Sequence, residues 1–181
     1  GSTIEETQFA DAFAVSRNTM REAIRQLARS GILVRAPHHR AVVATLTSDD
    51  VHDIFHVRRL LELDAVHRAP KAGQVELGQF RLALEELRAA SDSDDWPRIV
   101  ERDFHFHAAI VGLGQSERVN RMYREAEAGI RLCLTLTDRW DSDPGGQMDQ
   151  HGQIYELLTN GATAEAQELL LRHINDAESR V

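Results

Sequence analysis

Cysteine is nearly absent from this sequence. The one thiol among 181 residues, Cys133, has no partner for an internal disulfide, so no oxidised scaffold holds the chain. It falls between Leu132 and Leu134 in a helical pattern, which predicts a small buried apolar residue without a catalytic role. No apolar run approaches the ~20 residues that a bilayer crossing needs, and no charged-then-apolar leader opens the chain. A cytoplasmic protein with no membrane partner is expected. Basic charge is scarce after residue 46: 15 basic groups face 25 acidic ones there, whereas residues 1–46 hold six arginines against four carboxylates. The chain is electrostatically two objects, and only the first tolerates a phosphate backbone. What is present is ordinary for a globular chain, with 42% hydrophobic and 28% charged residues.

The first object, residues 1–46, predicts a short helix from Ile4 to Phe13 and a turn at Ala14-Val15. Ser16 stands where an N-cap belongs, and Ile24, Leu27 and Ala28 mark the buried side of a second helix that ends at Ser30-Gly31. Ile32 to Arg35 and Ala41 to Ala44 read as two short strands around the basic tip Pro37-His38-His39-Arg40. Arg17, Asn18, Thr19 and Arg21 crowd the N-terminal end of the second helix, the end that a recognition helix inserts in the major groove. Arg and Asn can make bidentate contacts with base edges. The competing reading is a solvated helix face.

Val15-Ser16-Arg17-Asn18-Thr19-Met20-Arg21-Glu22-Ala23, with Leu27 and Gly31-Ile32-Leu33 after it, resembles the signature of the GntR family of winged-helix transcription regulators. The resemblance implies that Arg17, Asn18, Thr19 and Arg21 contact operator DNA, with the wing tip, His39 and Arg40, in the adjacent minor groove. Two departures stand out. The family's first helix, with its Pro-x-Glu entry, is expected upstream of residue 1, which makes this a partial winged helix-turn-helix. The tip carries His38-His39-Arg40 where the family has glycine.

The second object, residues 47–181, shows about six helical stretches and no convincing strand, which predicts a mainly α chain with an all-α bundle. The long stretch from Glu117 is expected to run to Trp140, with Asp141 to Gly146 as the next turn. In Arg102 to Val111, Asp103 and His107 are four apart and share a helix face with Ile99, Val100, Phe106, Ile110 and Val111. Polar groups on an apolar face need partners. An intrahelical ion pair is one answer, a satisfied core histidine another, and a metal ion a third. Two further imidazoles weigh toward the metal. His151 lies on a stripe with Ile154, Tyr155 and Leu158, and His173 with Ala166, Leu169, Leu170 and Ala177. His105 is about 200° around its helix from Asp103 and should face elsewhere. His52 and His56 are four apart but lie off the Val51/Ile54/Phe55 stripe, as an exposed pair would. Neither His38 nor His67 has a partner that spacing identifies.

Arg58 to Glu62, then Asp103-x-x-Phe106-His107, His151, and Ala166 followed by His173-Ile174 together resemble the FCD ligand-sensing domain of the FadR-like branch of the same family. Six helices rather than seven is similar to its VanR-type subgroup. The resemblance implies a metal held by Asp103, His107, His151 and His173, and a homodimer. One carboxylate and three imidazoles, without thiolates, suit zinc, and also nickel or manganese. Open coordination positions would take the carboxylate of a small organic acid as effector. Arg58 either binds a second acidic group of that effector or pairs with Glu62 at i and i+4. The alternative from another class is a metal-dependent hydrolase or oxygenase in a helical bundle, which leaves the Ser16–Glu22 segment unexplained. A purely structural metal staple is a third.

Overall fold

Ser16 caps the second helix as its position predicts, its hydroxyl accepting from the Thr19 amide at 3.0 Å. In the structure, a computed structural model that describes residues 1–29, 31–34, 40–93, 95–136 and 144–181, that helix is α2 (Arg17–Arg29). It follows α1 (Glu6–Ala12) across a turn in which Ala14 adopts φ 52°. Gly31, at φ 78°, ends it in the left-handed region, which costs glycine nothing and other residues roughly 1–2 kcal/mol. Strands β2 (Leu33–Val34) and β3 (Ala41–Val43) pair antiparallel, and β1 (Thr3–Ile4) adds to the other side of β3, giving the order β1-β3-β2. Ile4 is therefore in a strand rather than at the head of α1. A two-residue strand carries no alternation to read, and only the partner strand defines it.

Ala10, Met20, Ile24, Leu33 and Ala41 form the core of this first unit, Gly1–Ser48. Leu27, expected inside, is 39% exposed, and Phe13 is 65% exposed. Both line an apolar hollow with Val15 and Met20. The periodicity of α2 fixes which side is apolar, but coverage of that side depends on neighbours.

The second unit, Asp49–Val181, is a bundle of α3 (Ser48–Arg68), α4 (Gln74–Ser91), α5 (Trp96–Leu113), α6 (Glu117–Leu136), α7 (Pro144–Thr159) and α8 (Thr163–Glu178). A 3-10 turn at Ala69–Lys71 joins α3 to α4. Each break has a local cause. Asp95 caps α5 by accepting from the Arg98 amide at 3.2 Å, and Pro97 sits in the first turn, where its missing N–H costs nothing. Gly161, at φ 76°, turns the chain between α7 and α8. Helix α7 starts at Pro144, so residues 144–146 are helical and not part of the predicted turn. Proline at a first helical position favours an early start that a turn-like Asp-Pro-Gly-Gly composition hides. The expected extension of α6 to Trp140 lies outside the described residues.

Helix α5 is central. It packs on α4 and on α6, while α7 packs on α4 and α8. Its buried face carries Ile99, Val100, Phe104, Phe106, Ile110 and Val111 together with Asp103 and His107. Phe106 meets Phe80 of α4 at a centroid distance of 5.2 Å, and Phe104 stacks on Tyr123 of α6 at 5.4 Å. Aromatic packing on both sides fixes the rotation of α5 and so the direction in which its polar pair points.

Candidate metal centre

Four helices contribute polar groups to the middle of the bundle. Asp103 and His107 come from α5, His151 from α7 and His173 from α8, while α3 adds Arg58 and Glu62. All six are buried, from fully enclosed Glu62, His107 and His151 to Asp103 at 7% exposure. One ligand atom from each of Asp103, His107, His151 and His173 lies within 4.8 Å of the others. Asp103 Oδ1 is 3.1 Å from His151 Nε2 and 4.0 Å from His107 Nε2. The Nε2 atoms of His107 and His173 are 3.2 Å apart. With metal–ligand bonds of about 2.0–2.2 Å, donors around one ion sit roughly 3.0–3.4 Å apart, so the closest pairs already have that spacing.

The protons make a stronger case than the spacing. His107 Nδ1 lies 2.6 Å from Glu62 Oε2, and His173 Nδ1 lies 2.9 Å from Gln150 Oε1. Both partners are acceptors, so both Nδ1 atoms donate, and each neutral ring then presents a bare lone pair at Nε2. Two lone pairs 3.2 Å apart repel unless something positive stands by them. A shared proton would serve that pair alone. A divalent ion also takes in the Asp103 oxygen and the His151 nitrogen. The residues therefore fit a metal, and the missing thiolates suit a site with positions left for exchangeable ligands.

Electrostatics keeps the groups in the right states. Burial and the neighbouring His151 and His107 imidazoles hold His173 well below the usual histidine range, so it stays neutral, as a ligand must. Burial pushes the Asp103 carboxyl up, but positive charge at His107 and the contact with His151 outweigh it and leave the group well below the usual carboxylate range, and an ion held at the same place would supply that positive charge instead. Glu62 behaves likewise: against its burial, His107 and Arg58 bring it down to about 2. Burial and the Glu62 charge push the Tyr123 phenol well up, so it remains a donor.

Arg58 does pair with Glu62, its Nε donating to Oε1 at 3.0 Å. The pair leaves the guanidinium fork unused, since Nη1 and Nη2 are buried and find no hydrogen-bond partner among the described residues. His105 stays out of the cluster and meets Arg102 Nη1 at 3.4 Å instead. His52 is exposed and pairs with Glu178 at 3.0 Å, and His56 is exposed. Two partners escaped the sequence reading. Tyr123 donates to Glu62 Oε1 at 2.8 Å, and Gln150 receives His173. Tyr123 lies on the buried face of α6 with Ile130, Cys133 and Leu134, and a hydroxyl on such a face signals an unidentified acceptor.

In the first unit, Arg17, Asn18, Thr19 and Arg21 are all exposed around the first turn of α2. The Thr19 hydroxyl lies 2.8 Å from that of Ser16, and Arg21 Nε donates to Glu6 at 3.0 Å. Arg40 pairs with Glu5, and His39 lies outside the described residues.

Comparison with known proteins divides the chain at the same place. Residues 53–176 match the FCD domain, and residues 1–43 match the profile described as bacterial regulatory proteins, gntR family. An uncharacterized HTH-type transcriptional regulator of Bacillus subtilis, YdhC, is 28% identical over 177 residues, covering 97% of this chain and 79% of that protein. The gluconate operon transcriptional repressor of the same organism is 31% identical over 140 residues, covering 77% of this chain and 57% of the repressor. Among solved structures, a chain from Rhodococcus sp. RHA1 described as a GntR transcriptional regulator superposes with a TM-score of 0.85 at 27% identity, covering 99% of this chain and 86% of that one.

Proposed function

We propose, from the premise that this chain belongs to the GntR family of bacterial regulatory proteins and carries an FCD domain, that it is a repressor whose hold on its operator is set by a small organic acid at the metal centre. Proteins of this family are DNA-binding transcription regulators and not enzymes, and so is this chain. No described helix is long and apolar enough to cross a membrane, which suits a regulator acting on DNA in the cytoplasm. Repression is the sign carried by the name of the gluconate operon relative.

The observation behind the effector reading is the unused fork of Arg58 in the same buried centre as Asp103, His107, His151 and His173. Zinc is the ion we assign, with nickel and manganese as alternatives suited to the same donors. One carboxylate of the acid completes the coordination with one oxygen and accepts from Arg58 with the other, an arrangement that removes the cost of two buried unpaired donor atoms. The effector acts through unequal affinity for two placements of the DNA-binding units. Two such units in a homodimer, with recognition helices about 34 Å apart, read a two-fold operator. Residues 1–46 make the contacts, through Arg17, Asn18, Thr19 and Arg21 of α2 and His39 and Arg40 of the wing.

The test is selection of genomic fragments by the metal-loaded full chain at moderate salt, repeated with a library of small carboxylates. Enrichment of a two-fold sequence that one acid releases is the expected result. Arg17→Ala should weaken that binding about 10–100-fold, the value of a good base-reading contact. Binding to all fragments alike would sink the regulator mechanism. Unaltered binding across the whole library would sink the effector.

A further inference from the structure

The carboxylate of Glu62 has its two oxygens assigned to different tasks. Oε1 accepts from Arg58 Nε at 3.0 Å and from the Tyr123 hydroxyl at 2.8 Å. Oε2 accepts from His107 Nδ1 at 2.6 Å. These groups come from α3, α6 and α5, and Arg58, Glu62, Tyr123 and His107 are all at most 1% exposed, so water does not compete for them. Tyr123 is further held by its stack on Phe104, one residue from Asp103. A carboxylate gripped on one oxygen by two donors cannot rotate away from the third.

We infer that Glu62 is a positioning residue of the metal centre, locking His107 in the Nδ1–H tautomer that turns the Nε2 lone pair toward Asp103, His151 and His173, and that Tyr123 and Arg58 hold Glu62 in that orientation. The inference rests on the metal reading above. The imidazole nitrogen remote from a metal commonly donates to a carboxylate, which fixes the ring and raises ligand basicity. The hydrogen bonds also explain why a glutamate is needed rather than a glutamine. In a Glu62→Gln chain, Arg58 and Tyr123 are both donors and would draw the amide oxygen to the Oε1 position. The amide NH2 then faces His107 Nδ1 and donates to it. That forces the ring proton onto Nε2, where the metal should bind.

The experiment uses the full chain, stripped of metal and labelled with 15N-histidine, at about pH 8, above the ordinary histidine range. Long-range 15N–1H correlations give the tautomer of His107, and competition with a chromophoric chelator gives the zinc affinity. The parent should show His107 protonated at Nδ1. Glu62→Gln should show it protonated at Nε2 and bind zinc about 10–100-fold more weakly. Tyr123→Phe keeps the stack on Phe104 and loses only the hydroxyl, so it should weaken zinc several-fold, while His52→Ala, remote from the cluster, should change nothing. A folded Glu62→Gln chain that keeps the Nδ1–H tautomer, or binds zinc within about twofold of the parent, overturns the inference. If Glu62→Gln does not fold, Tyr123→Phe decides: zinc affinity equal to the parent's overturns it, and a several-fold loss supports it. A parent that binds no divalent ion defeats the metal reading instead, and the tautomer measurement separates the two failures.

Discussion

Replacing His107 with alanine is expected to abolish tight metal binding, and His105→Ala to leave one ion per chain in place. The two histidines are two residues apart in one helix, so solubility, expression and helix propensity are closely matched between the variants. They differ in direction. His107 is fully buried with its Nε2 toward Asp103 and His173, whereas His105 is only partly buried and lies beside Arg102. Thermal unfolding with and without free zinc gives a second readout. A ligand that binds only the folded state stabilises it by about 2.7 kcal/mol at a hundred times Kd and about 4.1 kcal/mol at a thousand times. That increment should appear for the parent and for His105→Ala, and vanish for His107→Ala. Full metal content in the His107→Ala chain, measured by atomic emission, would remove His107 from the site. Zinc stabilisation in the parent with no further response to any carboxylate would leave the ion as a staple.

The second large effect is on folding. Glu62→Leu should destabilise the metal-stripped chain by about 3–5 kcal/mol, because it strands the buried Arg58 charge. Burial opposes the Arg58 charge and Glu62 is the main group that sustains it. The same substitution leaves the Tyr123 hydroxyl and His107 Nδ1 without their acceptor. Combining it with Arg58→Met removes the stranded charge and should recover much of the loss, though not the share due to Tyr123, about 1–3 kcal/mol. Urea unfolding of the parent, the two single variants and the double variant measures the coupling directly. Equal stability of Glu62→Leu and the parent would show that Arg58 finds another partner or reaches water.

The sequence is legible where a signal repeats along one helix. Asp103 and His107, His151, and His173 each interrupt an apolar stripe of their own helix, and the bundle brings those stripes together. The Arg58–Glu62 pair is visible for the same reason, being four apart. Partners that meet only across the bundle leave no such trace. Tyr123 is 61 residues from Glu62 and Gln150 is 23 from His173, so nothing in local periodicity connects them. Leu27 and Ile4 show the same limit in the first unit. Their surroundings come from other segments, which is why one is more open than its stripe implies and the other joins a strand.

The arrangement of Arg58, Glu62 and Asp103 has a consequence for what the centre can accept. Counting the three imidazoles as neutral ligands, one guanidinium and two carboxylates leave a single negative charge in a buried core. A divalent ion reverses the sign and leaves one positive charge over. One carboxylate brings the centre to neutrality, and a second would carry it past, against the high cost of net charge away from water. Electroneutrality thus favours a monoanionic effector over a dianion of the same size, and matched mono- and dicarboxylates titrated into the zinc-loaded chain should bind in that order.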